Sequence, residues 1–186
     1  MEPRRFNSHM HFINENWAAN ALNMQINPNR GPDLIDDEKA VEIKFERIYP
    51  EIKNHKCWRF LGHQLEYNKE FSEIYWGLGF YILNKKVKDV KRNDLINLEK
   101  IVDYREIYLV NWDWMNQFPL YHQKGKTKIS EWDHYIGYPK FKLIPKIISS
   151  KDVKTGKVYF TEGVDPEKFK INWNSVQQNT YKDVPF

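Results

Sequence analysis

The segment from residue 33 to residue 45 restricts this chain more than any other stretch. Asp33-Leu34-Ile35 leads into the charged tetrapeptide Asp36-Asp37-Glu38-Lys39, and Ala40 to Phe45 then alternates between apolar and charged side chains. Successive side chains of a strand point to opposite faces. Val41, Ile43 and Phe45 therefore share one face, and Glu42 and Lys44 share the other. The spacing predicts a hairpin: a short strand at 33–35, a turn at 36–39 and a second strand at 40–45. Such pairing brings the carboxylates of Asp33 and Glu42 close together, with the Lys44 ammonium two residues along the same face.

The flanking sequence supplies the other elements. Phe6, Met10, Ile13, Trp17, Ala21 and Met24 recur at spacings of three and four, which predicts an amphipathic helix from about Phe6 to Met24. Asn27-Pro28-Asn29-Arg30-Gly31-Pro32 breaks it. A second helix is expected from about Asn54 to Lys69, with Trp58, Leu61 and Leu65 as its apolar stripe. Phe71 to Leu83 reads as a strand, Asn93 to Val102 as a short helix and Arg105 to Val110 as a further strand. Lys146 to Glu162 reads as a hairpin turning at Lys154-Thr155-Gly156, and the last twenty or so residues are polar and irregular. Helices and strands in this order predict an α/β fold with a mixed central sheet flanked by helices and a β-rich C-terminal extension. The 186 residues suit a single domain, with a core over about 6–110 and an addition over about 111–186.

Composition narrows the function classes. The chain is 41% hydrophobic and 16% aromatic, too apolar to be disordered. It has no run near the roughly 18 apolar residues of a membrane span, and no apolar stretch follows Met1-Glu2-Pro3-Arg4-Arg5-Phe6 as in a secretory signal. The single cysteine, Cys57, rules out an internal disulfide and a cysteine-based zinc site. The expectation is an intracellular, cytoplasmic protein. A formal charge of +4 suits a polyanionic partner without requiring one. Gly77-Leu78-Gly79 lies inside a strand pattern and makes no phosphate loop. No Gly-x-Ser-x-Gly elbow is present, and no pair of histidines has the spacing of a zinc helix.

Asp33, Glu42 and Lys44 suit phosphodiester hydrolysis. That reaction needs divalent cations to neutralise the phosphate, an aimed water, and stabilisation of the charge on the transition state. Hard cations such as Mg²⁺ prefer carboxylate oxygens, and a neighbouring lysine can position the water. A charged strand face opposite an apolar one is also what any half-exposed edge strand shows.

Gly31-Pro32-Asp33, eight residues, then Glu42-Ile43-Lys44 resembles the motif of the PD-(D/E)XK nuclease superfamily, which includes type II restriction endonucleases, Holliday-junction resolvases and viral exonucleases. The resemblance covers residues 6 to 83. It implies a restriction-endonuclease-like core and a Mg²⁺-dependent DNA endonuclease, with Mn²⁺ able to substitute. It implies Asp33, Glu42 and Lys44 as catalytic residues, with Lys44 beside the attacking water. It also implies metal binding by Glu15 of the first helix, Asp33, Glu42 and the carbonyl of Ile43. A restriction-type enzyme would act as a homodimer on duplex DNA; a resolvase or viral nuclease would read branches or ends.

Gln64 and Tyr67 are similar to the glutamine-tyrosine motif of RecB-like nucleases, at a spacing one residue shorter; Gln64 is a candidate DNA contact, to a phosphate or base near the site, and a polar helix face explains it as well. Arg59 and His63, on another face of the expected second helix, are candidate DNA contacts or plain surface residues. From Tyr121 to Lys151 there are seven lysines and only two acids, Glu131 and Asp133, interspersed with Tyr121, Trp132, Tyr135, Tyr138 and Phe141. Lys124, Lys126, Lys128, Lys140 and Lys142 are candidate phosphate contacts, with the aromatics available for stacking on bases. The same segment carries the alternative reading, a non-catalytic nucleic-acid-binding protein.

Overall fold

The computed structural model describes residues 3–47, 57–60, 64, 67, 71–111, 121–122, 134–137, 157–161 and 163–172. Their chain order begins with helix α1 (Pro3–Leu22), then strands β1 (Gln25–Ile26), β2 (Leu34–Ile35) and β3 (Ala40–Arg47). There follow β4 (Cys57–Phe60), β5 (Ile74–Leu83), short 3-10 turns at Val87–Asp89 and Arg92–Ile101, and β6 (Val102–Asn111). β7 (Tyr121–His122), β8 (His134–Gly137), β9 (Lys157–Phe160) and a 3-10 turn at Pro166–Lys168 complete it.

Six strands form one mixed sheet in the order β1-β2-β3-β5-β6-β9. β3 runs parallel to β5 and β9 parallel to β6, while the other neighbours are antiparallel. β4, β8 and β7 make a second, antiparallel sheet. The fold is α/β with one main helix. Among the described residues no helix is long and apolar enough to cross a membrane.

The buried face of the helix is offset from the stripe read from the sequence: Phe6, Met10, Ala21 and Met24 are buried, Ile13 and Trp17 only partly, and Asn14, Ala18 and Leu22 are buried beside them. Ala18, Ala21 and Leu22 pack on Val41, Ile43, Ile107 and Leu109. Phe6 and Met10 pack on Tyr81, Leu98, Ile101 and Val102. Asn23 takes a left-handed conformation (φ 53°), and the Met24 N–H closes on the Ala19 carbonyl at 3.0 Å, a helix ending that asparagine tolerates. Arg105 staples α1 to β6 from below: its Nε donates to Asn14 Oδ1 at 2.8 Å and its Nη1 to Glu99 at 2.7 Å.

Gly77 and Gly79 lie opposite Ile43 and Phe45 in the β3–β5 register. A Cβ on Gly77 would sit 2.6 Å from Ile43 Cδ1, and one on Gly79 would sit 2.4 Å from the Phe45 ring. The glycines make room for the residues that anchor β3 beneath α1. On the other face, Trp58 of β4 packs against Phe80 with ring centroids 4.6 Å apart and planes tilted by 45°, and its indole N–H donates to the Gly79 carbonyl at 3.0 Å. Trp58 therefore docks the small sheet opposite α1.

One expectation needs correction. The helix expected over 54–69 is interrupted by β4 at Cys57–Phe60, which pairs with β8. The spacing of Trp58, Leu61 and Leu65 fits a helix, but a strand partner some 75 residues away overrides local periodicity. The short helix expected over 93–102 is present as 3-10 helix at Arg92–Ile101, interrupted at Asn97. The described arm of the expected C-terminal hairpin, β9, pairs in parallel with β6 and so extends the main sheet; residues 146–156 lie outside the described residues.

Candidate active site

The loop before β2 sets Asp33 in place. The Asn27 N–H donates to the Asp33 carbonyl at 2.9 Å, and Asn27 Nδ2 donates to the Pro32 carbonyl at 2.9 Å. Gly31 between them holds φ at 137°, a region that side-chain-bearing residues avoid. On the far side of β2 the turn is closed by Asp36, whose Oδ1 accepts the Glu38 and Lys39 N–H groups at 3.0 and 2.8 Å.

β2 is only two residues long, pairing Leu34 with Val41 and Ile35 with Ala40. Continued by one residue, that register sets Asp33 opposite Glu42. The next donor on the β3 edge, the N–H of Ile43, is taken by Asp33 itself, whose Oδ2 accepts it at 2.8 Å. A side-chain carboxylate thus continues the ladder where the backbone of β2 has run out. The N–H and C=O of one strand residue point to the same edge, so the Ile43 carbonyl faces the edge that Asp33 occupies.

Glu42 is 1% exposed. Its face of β3 is covered rather than solvated: neighbouring Ala40 packs with Tyr67 and Ile74, and Trp76 lies opposite Glu42 in the register with β5. Glu42 Oε1 accepts from Lys44 Nζ and from Gln64 Nε2. Its Oε2 is buried without a hydrogen-bond partner. A buried carboxylate oxygen in that condition is costly unless something fills its lone pairs.

Burial pushes the Glu42 carboxyl up to about 7; the Lys44 ammonium opposes the shift and the Asp33 charge adds to it. Burial also raises Asp33, against Lys44 and the Ile43 N–H. Glu15 on α1 adds to both shifts, so the three carboxylates share one electrostatic neighbourhood. Glu15 is paired with His11 one helical turn earlier. That bond raises the His11 imidazole above its ordinary value, burial opposing.

The structure therefore brings together Asp33, Glu42 and Lys44, and sets Glu15 within electrostatic reach. It also brings in Gln64, expected from the sequence as a DNA contact or a polar helix face, as a hydrogen-bond donor to Glu42. The signal was its place in the glutamine-tyrosine pair, obscured by the shortened spacing. The pairing of His11 with Glu15 was legible in their i, i+4 spacing on the first helix.

The donor set, carboxylate oxygens with a backbone carbonyl, is the hard-oxygen kind that Mg²⁺ selects, and the orphaned Oε2 of Glu42 offers it a lone pair. Among the described residues no three His, Cys, Asp or Glu side chains already form a metal cluster. Glu15 is held by His11, Asp33 by the Ile43 N–H and Glu42 by Lys44 and Gln64.

His63, Lys124, Lys126, Lys128, Lys140 and Lys142 lie outside the described residues. Arg59 is placed only through its backbone, opposite Tyr135 in the β4–β8 pair. Comparison of the chain with protein-family models, with curated protein sequences and with solved structures returns no match.

Proposed function

We propose that the protein is a Mg²⁺-dependent DNA endonuclease with a restriction-endonuclease-like core of the PD-(D/E)XK kind. The observation that carries this reading is the meeting of Asp33 and Glu42 on adjoining strands, with the Lys44 ammonium on the Glu42 carboxylate. The order helix, hairpin, then a strand parallel to β3 supports it, as does the mixed sheet.

Asp33, Glu42 and the Ile43 carbonyl would hold the cation, with Glu15 supplied from α1. When bound, the cation neutralises phosphate charge and makes water easier to deprotonate. The protein does the rest by placement. The Ile43 N–H fixes Asp33 on a rigid strand edge, and Gln64 and Lys44 fix one oxygen of Glu42 so that the other is presented. The Lys44 ammonium orients the attacking water and offsets negative charge growing on the phosphoryl oxygens. The covered face of β3 excludes bulk water, which strengthens each of these interactions.

The test is nicking of supercoiled plasmid DNA in Mg²⁺ by the wild type, Asp33→Ala and Lys44→Ala. The reading requires nicking by the wild type and its loss in both variants. Equal behaviour of all three proteins would sink it.

A further inference from the structure

Beside the carboxylates, α1 carries an open hollow of about 400 Å³ lined by Asn7, Ser8, His11, Phe12 and Glu15. It is shallow and open to solvent, a strip along the helix rather than an enclosed cavity. Phe12 is 62% exposed, whereas Phe6, Phe80, Phe160 and Phe169 are buried. The lining residues recur at three and four positions along one helix face, so they form a continuous strip one turn wide. The strip ends at Glu15, the residue of α1 that shares its electrostatic neighbourhood with Asp33 and Glu42. The rest of the lining is amide, hydroxyl and imidazole, groups that bond phosphate oxygens and base edges.

We infer that this hollow is a subsite for one unpaired nucleotide of the strand being cut, with its base stacked on the Phe12 ring and its phosphate directed along His11 towards Glu15. An aromatic face can stack on a base only where that base is out of the duplex, since bases inside a helix are already covered by their neighbours. The inference rests on the nuclease reading and deepens it: the substrate presents an unpaired nucleotide next to the cut, as in a single strand, a flap, a branch or an opened stretch of supercoiled duplex. Base stacking on aromatic side chains tolerates any sequence, so this subsite reads structure rather than sequence.

The experiment measures binding, so it does not depend on cleavage. A fluorescein-labelled single-stranded oligonucleotide and a blunt duplex of the same sequence are titrated by anisotropy, with Ca²⁺ in place of Mg²⁺. Phe12→Ala is expected to weaken single-strand binding by about tenfold and to leave the duplex unchanged, while Phe12→Trp keeps single-strand binding at least as tight as the wild type. Unchanged single-strand binding by Phe12→Ala, or an equal loss on both ligands, overturns the inference. Because Phe12 is exposed, the variant's fold is not at issue. Failure here with plasmid nicking intact removes the subsite and leaves the nuclease reading standing; absence of nicking removes the nuclease reading, and with it the assignment of the bound nucleotide to a strand being cut.

Discussion

The Asp33 carboxylate accepts the backbone N–H of Ile43 at 2.8 Å, taking the ladder position that a third residue of β2 would otherwise fill. One side chain thus completes a sheet edge and stands beside the Glu42 carboxylate. Structure and chemistry can be separated at this residue. Asp33→Asn keeps an oxygen for the Ile43 N–H and removes the charge, so it should melt close to the wild type and nick DNA at least about a hundredfold more slowly. Asp33→Ala also strands that donor and should cost about 1–3 kcal/mol of stability. Mg²⁺ should raise the melting temperature of the wild type and leave that of Asp33→Asn unmoved. A Mg²⁺ shift that survives in Asp33→Asn would exclude Asp33 as a ligand.

The Glu42 carboxyl, raised from 4.5 to about 7 chiefly by burial, makes stability depend on pH. A carboxyl whose pKa is higher folded than unfolded holds its proton more tightly in the folded protein. The stability it confers is present below about 4.5 and lost as pH rises through about 7, on the order of 3 kcal/mol in the metal-free protein. Cation binding needs the ionised form, so nicking at limiting Mg²⁺ should climb over the same interval. Denaturant melts from pH 4 to 8 should fall more steeply in the wild type than in Glu42→Gln, which keeps only the declines from the raised Asp33 and His11 groups. An equally steep decline in Glu42→Gln would assign it to those groups.

Gln64 donates to the same Glu42 oxygen as Lys44. A donor on a carboxylate favours its charged form. Gln64→Ala should therefore move the rise in nicking at limiting Mg²⁺ to higher pH, with a smaller effect at saturating Mg²⁺. A uniform loss of rate at every pH and every Mg²⁺ concentration would show that Gln64 acts elsewhere.

Gly79 faces the Phe45 ring so closely that a methyl group cannot fit without moving it. Gly79→Ala should cost about 1–3 kcal/mol in urea melts, as overpacking of a core does. In a Phe45→Ala background the space is open, and the same substitution should cost much less. Equal costs in the two backgrounds would mean that the ring is not what the glycine accommodates.

Much of the site could be read along the chain because it is built from neighbours. The hairpin needs only an Asx-closed turn at Asp36 and a period-two pattern over Ala40 to Phe45, both local. The helix stripe from Phe6 to Met24 is likewise a 3.6-residue repeat, and its i, i+4 geometry already places His11 beside Glu15. What escaped depends on partners distant in sequence. β4 looked helical because Trp58, Leu61 and Leu65 are helically spaced, yet Cys57–Phe60 pairs with His134–Gly137. Gln64 looked like a DNA contact or part of a polar surface, yet it meets Glu42 twenty-two residues earlier in the chain.

By itself, then, the sequence determined that Asp33, Glu42 and Lys44 would share one side of a hairpin, because turn chemistry and strand alternation act within a dozen residues. Only the tertiary structure decided that this side is covered. Packing of Ala40 with Tyr67 and Ile74, the approach of Gln64, and the position of β3 between β2 and β5 turned an apparently solvated glutamate into one that is 1% exposed. Burial depends on what other parts of the chain bring to a surface, and no local pattern encodes it. That burial lifts the Glu42 carboxyl to about 7 and leaves one of its oxygens without a partner.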